Sequence, residues 1–228
     1  MESSQDEFAS SFFVLILWRI LLRVALLPRT NQRQSIMQFG DNLKSVELLF
    51  DRIEETSVLS NFVCGIEKMD DFIHNRLQEY MDTTPCETYS ITMQGEIIAL
   101  LTLKDDILTL DDDDKDDMRN GFVPKPKIAL ETPSYLTNKV FPAIEIAYLA
   151  VSKGHRNKGI GRYIVEEVVK RVRIEHPDYQ FVTVDAYLET GYSAVGFYER
   201  CRFEPAEYPH GGYKDTLRMY RVLMPANL

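Results

Sequence analysis

Residues 144–162 read IEIAYLAVSKGHRNKGIGR. Ile144 to Val151 is apolar except for Glu145 and Tyr148, the pattern of a strand in the middle of a sheet. Ser152 to Gly159 is polar and contains glycine, which predicts a loop. From Ile160 to Ile174 the residues Ile160, Ile164, Val168 and Val172 recur in helical register, with Val165 and Val169 beside them. A strand, a short loop and a helix in that order form an anion cradle. Backbone amides at the helix start have no partner within the helix, and the positive end of its dipole faces the loop. Gly159 and Gly161 let backbone approach a ligand with no Cβ in the way, and His155, Arg156, Lys158 and Arg162 add positive charge. Neither GxxxxGK followed by Ser or Thr nor GxGxxG occurs, so the two best-known phosphate-binding loops are excluded.

The flanking sequence supplies the rest of an α/β pattern. Val46 to Phe50 suits a short strand, Asn61 to Gly65 a turn, and Glu67 to Tyr80 a helix with Met69, Phe72, Ile73, Leu77 and Tyr80 on one stripe. Thr88 to Met93 and Glu96 to Leu103 are two strands about Gln94-Gly95. Lys104 to Tyr135 then reads as one long irregular connection. Phe181 to Ala186 is a further buried strand, Gly191 to Arg200 is helical in pattern, and Phe203 and Tyr220 to Met224 suit closing strands. Strands and helices alternating around a mixed central sheet are the expected architecture.

At 228 residues, 45% hydrophobic and 27% charged, the chain has globular composition, neither wholly disordered nor collagen-like. Its net charge of −9 argues against a generally basic nucleic-acid binder. The charge is local, however. Asp105 to Asp117 holds eight Asp and one Lys, and the other 215 residues carry 27 acids and 25 bases. Mutual repulsion predicts a solvated loop there, and no frame of the run supplies both the Gly and the Glu of an EF-hand, so no metal is expected. Cys64, Cys86 and Cys201 stand far apart with no CxxC, which suits reduced thiols and a cytoplasmic setting.

Phe12 to Leu27 reads FFVLILWRILLRVALL. Its sixteen positions are short of the roughly 20 that a span needs, and Arg19 and Arg23 each cost about 2.5–3.5 kcal/mol at a bilayer centre. A span and membrane contact through residues 12–27 are therefore disfavoured, and acids near the start disfavour a signal peptide. Two readings remain open: a helix packed on a partner or interface, and a true start at Met37. Residues 1–36 are taken as an N-terminal extension and 45–224 as the domain.

Arg156-Asn157-Lys158-Gly159-Ile160-Gly161, following Leu149-Ala150-Val151, resembles the acetyl-CoA pyrophosphate loop of the GCN5-related N-acetyltransferase (GNAT) superfamily, Gln/Arg-x-x-Gly-x-Gly/Ala. Ala194-Val195-Gly196-Phe197-Tyr198-Glu199-Arg200-Cys201-Arg202-Phe203 resembles that family's A-x-x-F-Y-E-x-x-G-F segment, with Arg202 in place of the Gly. Phe62 to Ile73 (FVCGIEKMDDFI) is similar to a segment of the GNAT branch that contains toxin-antitoxin acetyltransferases.

The resemblance implies a GNAT-like mixed sheet flanked by helices, with a long acidic insertion before the fourth strand. It implies an acetyl-CoA-dependent N-acetyltransferase acting on a primary amine of a small molecule, peptide or protein. The cofactor would be held by Leu149, Ala150, Val151, Arg156, Asn157, Lys158, Gly159, Ile160, Gly161 and Arg162. Tyr198 takes the position of the general acid, and Glu145 that of an acid which deprotonates the amine. Alternatives are a toxin acetylating aminoacyl-tRNA and a non-catalytic CoA-binding module. The partners that this branch allows are tRNA, an antitoxin and a second copy of the chain. A tRNA reading needs a local basic patch, for which Arg76, Lys170, Arg171 and Arg173 are the candidates.

Overall fold

The computed structural model describes residues 32–39, 44–113, 115–116, 140–176, 178–189, 192–206 and 215–223. Segment 12–27 and residues 117–139 of the connection lie outside the described residues.

Nine strands form one mixed sheet: β1 (Gln32–Phe39), β2 (Lys44–Ile53), β3 (Cys86–Met93), β4 (Glu96–Thr109), β5 (Val140–Val151), β6 (Phe181–Glu189), β7 (Tyr192–Ser193), β8 (Glu204–Pro205) and β9 (Thr216–Val222). Their order is β1-β2-β3-β4-β5-β6-β9-β8, with β7 pairing β6. Helix α1 spans Glu67–Asn75, α2 Leu77–Thr83, α3 Ile160–Glu175 and α4 Val195–Arg200. These elements belong to one compact unit, Asn31–Leu228. The strand expected as the fourth is the fifth in the chain, because Gln32–Phe39 is also a strand and pairs along β2. That strand straddles the 36/37 boundary read from the sequence.

Three local readings change. The helix expected over 67–80 breaks at Arg76, whose φ of −131° leaves the helical region, so two short helices follow one another. The expected irregular stretch begins later: Lys104–Thr109 continues β4, paired with Glu145–Val140. Asp105 and Asp106 are therefore sheet residues, not loop residues. Tyr179 donates its hydroxyl hydrogen bond to Asp105, and Thr183 and Arg218 bind Asp106. The helix expected from Gly191 starts only at Val195, after the short strand β7.

The β3–β4 hairpin turns on Gln94 and Gly95, at φ 51° and 84°, the two left-handed residues that suit the twist of a tight hairpin. Helix α3 buries Ile160, Ile164, Val165, Val168, Val169 and Val172, the stripe expected from its spacing. Ile73 and Leu77, with Phe62 and Cys64 from the turn before them, pack against Leu100 and Ala150 of the sheet.

One pairing organises everything that follows. β5 and β6 are the only parallel neighbours among the described strands, and they pair over just Ala143↔Phe181, Ile144↔Val182 and Glu145↔Thr183. Beyond Glu145 the two strands part. β5 stays on β4 to Val151, and β6 stays on β9 to Tyr187. The register on β4 also shifts at this point, because Leu103 faces Ile146 while Thr102 faces Tyr148. Ala147 is the extra residue of a β-bulge. Bulges bend a strand and re-aim its side chains. Here the bulge puts Glu145, Tyr148 and Ala150 on one face, opposite Lys104, Thr102 and Leu100.

Candidate functional site

The loop after β5 turns through Lys153–His155 in a 3-10 turn and reaches α3 through Asn157 (φ 60°) and Gly159 (φ 81°). Gly159 is the N-cap of α3. No side chain caps that end, and no acid stands in the first turn. The first bond back to the cap is Tyr163 N–H to the Gly159 carbonyl at 3.0 Å, so the amides of the first turn open toward the loop. This end of α3 fits the diphosphate of a coenzyme: unpaired donors, the positive end of a sixteen-residue helix, and Arg156, Lys158 and Arg162 around it.

The two glycines serve different ends. A Cβ on Gly159 would meet only the Met37 Cε, at 3.7 Å, so its role there is the left-handed backbone. A Cβ on Gly161 would stand 3.2 Å from two ring atoms of Phe197 and 3.6 Å from Val151. Gly161 thus lets α4 close onto α3, in addition to any approach by a ligand.

That contact locates Tyr198, the next residue along α4. It is buried, with its ring against Phe197 (centroids 4.9 Å) and Phe203 (5.4 Å). The helix ends in a Schellman motif: Arg202 N–H bonds the Glu199 carbonyl at 2.8 Å, and Phe203 N–H bonds the Tyr198 carbonyl at 3.0 Å. Arg202 is the left-handed residue of the motif, at φ 66°. That explains why the related segment has Gly at this place. Burial pushes the Tyr198 phenol far above its usual value, and the charges of Cys201, Tyr192 and Glu145 push it further. Tyr198 and Glu145 are therefore close enough to feel one another.

Glu145 lies on the last rung before β5 and β6 part, and is buried. Its Oε2 stands 3.1 Å from Lys104 Nζ and 3.6 Å from Arg218 Nη1. Burial pushes its carboxyl above the ordinary range, Asp106 adds to that, and the two cations oppose it. Leu149, Ala150 and Val151 line the parted stretch of β5, with Ala150 turned into the helix-packed core and Leu149 and Val151 half-buried. Beside them Phe72 and Tyr148 stack at 4.2 Å, and Tyr80 stands edge-on to Tyr148 at 5.2 Å.

Sequence reasoning missed the support of the loop. Asp70 of α1 accepts hydrogen bonds from the Cys64 and Gly65 amides at 2.7 and 2.9 Å, and His74 Nε2 meets the Phe62 carbonyl at 2.7 Å. The turn so fixed receives Lys153 N–H on the Val63 carbonyl (2.9 Å) and Arg156 Nη1 on the Cys64 carbonyl (3.3 Å). The Cys-Gly-x-x-x-x-Asp spacing of the 62–73 segment was the available signal. Arg221 was missed as well. It binds Glu166 through both Nη atoms (2.9 and 2.8 Å) and the Cys201 carbonyl (2.8 Å), joining α3, α4 and β9.

Three of the four basic residues named for a patch are engaged in pairs. Lys170 and Arg171 both pair with Glu167, Arg171 lies over the Phe50 ring, and Arg76 pairs with Asp71. Among the described residues no group of His, Cys, Asp and Glu could hold a metal ion, and no helix is long and apolar enough to cross a membrane.

Residues 127–205 match the sequence profile of the acetyltransferase (GNAT) domain. No curated protein matches the chain. Solved structures of the same fold include a bacterial toxin (TM-score 0.55, 16% identity, 77% of this chain and 90% of that one). AtaT complexed with acetyl-methionyl-tRNAfMet gives a TM-score of 0.53 at 16% identity, over 77% of this chain and 94% of AtaT. A Tyr-to-Phe mutant of KacT gives 0.52 at 16% identity, over 84% and 95%. Strand order, parted strands and uncapped helix agree with the GNAT-domain profile that residues 127–205 match and with the fold of these structures.

Proposed function

We propose that the chain uses acetyl-CoA to acetylate a primary amine of a small molecule, peptide or protein, and that residues 156–162, Tyr198 and Glu145 carry the reaction. The supporting observation is the uncapped start of α3, which a short loop joins to the stretch of β5 that has parted from β6. The uncapped end of α3 lies at one side of the parted strands, Glu145 at their fork, and Tyr198 is joined to the same helix through Phe197 and Gly161.

When bound, acetyl-CoA supplies an activated thioester. Residues 156–162 hold its diphosphate, and the strand edge at 149–151 orients the chain that leads to the sulfur. Glu145, whose carboxyl burial raises above the ordinary range, takes one proton from the acceptor's ammonium group so that the neutral amine attacks. As the new C–N bond forms and the C–S bond breaks, Tyr198 gives its phenolic proton to the departing sulfur. The second amine proton leaves to solvent, which also restores Tyr198. Because burial keeps that phenol protonated across the working range, the acid form is always present.

The experiment has two arms. Calorimetry with acetyl-CoA should show binding that Gly159→Trp abolishes, and unchanged affinity would remove the loop assignment. Release of free CoA thiol, followed with a panel of small amines and peptides, should fall about 100-fold in Tyr198→Phe at unchanged acetyl-CoA affinity. A second reading, an aminoacyl-tRNA acceptor, is favoured by the likeness to AtaT bound to acetyl-methionyl-tRNAfMet. Including a charged tRNA pool in the same panel decides between them. On the first reading, tRNA, an antitoxin and a second copy of the chain are not required for turnover.

A further inference from the structure

Four strands contribute to one charged cluster at the fork. Lys104 and Asp106 come from β4, Glu145 from β5, Thr183 and Asp185 from β6, and Arg218 from β9. Arg218 is 8% exposed and reaches past β6 to the acids beyond. Its Nη2 pairs with Asp106, and its Nη1 stands 3.4 Å from Asp185 and 3.6 Å from Glu145. Its Nε is buried and has no hydrogen-bond partner.

Stability does not explain this arrangement. A buried ion pair offsets its own desolvation only when every donor is used, and a well-packed apolar side chain often does as well. An orphaned buried donor costs about 1–3 kcal/mol. The cluster instead sits where the sheet opens, and it surrounds the one carboxylate that the proposed reaction uses.

We propose that Arg218 is the positioning residue of Glu145: anchored by Asp106 and Asp185, it keeps Glu145 ionised and directed at the fork while the sheet buries it. The inference rests on Glu145 acting as the base. The charged and titratable groups facing Glu145 are Lys104, Asp106, Asp185, Arg218 and Tyr198. Lys104 is nearer to Glu145 (3.1 against 3.6 Å) and opposes the upward shift more strongly, but Arg218 is the more buried of the two cations, at 8% against 30%, and the one held by two further carboxylates.

The test needs no acceptor. Protein labelled with 13C at the Glu carboxyl carbons is titrated by NMR, the Glu145 signal being assigned by its loss in Glu145→Gln. The midpoint should rise by about one unit or more in Arg218→Met, as expected when an opposite charge within about 4–6 Å is removed, and by less in Arg218→Lys. In Asp185→Asn, a change at a partly exposed residue that the fold tolerates, the midpoint should fall, since Arg218 Nη1 is released toward Glu145 and a like charge is lost. A Glu145 midpoint common to wild type, Arg218→Met and Asp185→Asn overturns the proposal, and Asp185→Asn alone decides it if Arg218→Met does not fold. Acetyl-CoA affinity is measured on the same samples. Failure of the wild type to bind acetyl-CoA refutes the proposed function, whereas normal binding with an unmoved midpoint refutes only the role of Arg218.

Discussion

At the scale of single residues, backbone handedness decides the substitution at Arg202 and side-chain contact the one at Gly161. Arg202 pays for a left-handed conformation that Gly would adopt freely; the ordinary cost of that conformation is about 1–2 kcal/mol. Arg202→Gly should therefore raise stability by about 1 kcal/mol, or roughly 2–4 °C in melting temperature, with acetyl-CoA affinity unchanged. Differential scanning calorimetry checks it, and a lower melting temperature would count against the Schellman assignment. Gly161→Ala should act the other way. The added methyl meets the Phe197 ring at 3.2 Å, so that ring must give by a few tenths of an ångström and press on its neighbour Tyr198. A loss of about 1–3 kcal/mol is expected, as for other overpacked sites, together with a fall in CoA release larger than the loss of acetyl-CoA affinity.

At the scale of elements, the turn before α1 and the loop after β5 form one unit through Asp70. Burial raises the carboxyl of Asp70, but hydrogen bonds from the Cys64 thiol and the Cys64 and Gly65 amides outweigh it and hold the group below its usual 3.8. A depressed carboxyl stabilises the fold above the unfolded value and loses that contribution as pH falls through the folded one. Asp70→Asn should thus cost about 2 kcal/mol at neutral pH, with the deficit shrinking below about pH 4, when measured by urea unfolding across pH. Acetyl-CoA affinity should drop as well, because Lys153 and Arg156 lean on the same turn.

Local pattern carried most of this level. The stripe Ile160, Ile164, Val168, Val172 gave α3 because an amphipathic period needs only neighbours in sequence. The break at Arg76 had no Gly or Pro to announce it, and the backbone geometry offers no physical account of it. Asp105 and Asp106 were read as solvated for a different reason. The partners that accept them into the sheet, Thr183 and Arg218, are 77 and 112 residues away from Asp106. The loop residues 156–162 could be named from the strand-loop-helix pattern and Tyr198 from its resemblance to a family segment, but Arg218 and the Gly161–Phe197 contact exist only once the sheet is assembled.

For the molecule as a whole, alkaline pH and the N-terminal strand test the assembled fold. Burial pushes the Cys64 and Cys201 thiols from 9.0 up to about 11. Groups so raised stabilise the fold fully below pH 9, where both states are protonated, and that contribution disappears between about pH 9 and 11. Stability should fall over that window, and Cys201→Ala should flatten the fall, followed by thermal melts at fixed pH steps. Starting the chain at Met37 would remove the β1 rungs Gln32–Ile36 and the hydroxyl contact between Ser35 and Tyr163 of α3. The shortened protein should melt several degrees lower and bind acetyl-CoA more weakly, since Met37, which lies beside Gly159, loses the strand that holds it there.

The parting of β5 and β6 has one more consequence, for solubility. Among the described residues, 146–151 of β5 and 184–186 of β6 have no strand partner on the sides that face one another, and Tyr187 meets the Ala194 amide there (2.8 Å). Exposed edges recruit foreign strands and seed aggregates. A molecule lying in the fork blocks both edges at once, so the proposed function predicts that preparations stripped of acetyl-CoA precipitate sooner on storage than those kept saturated with it.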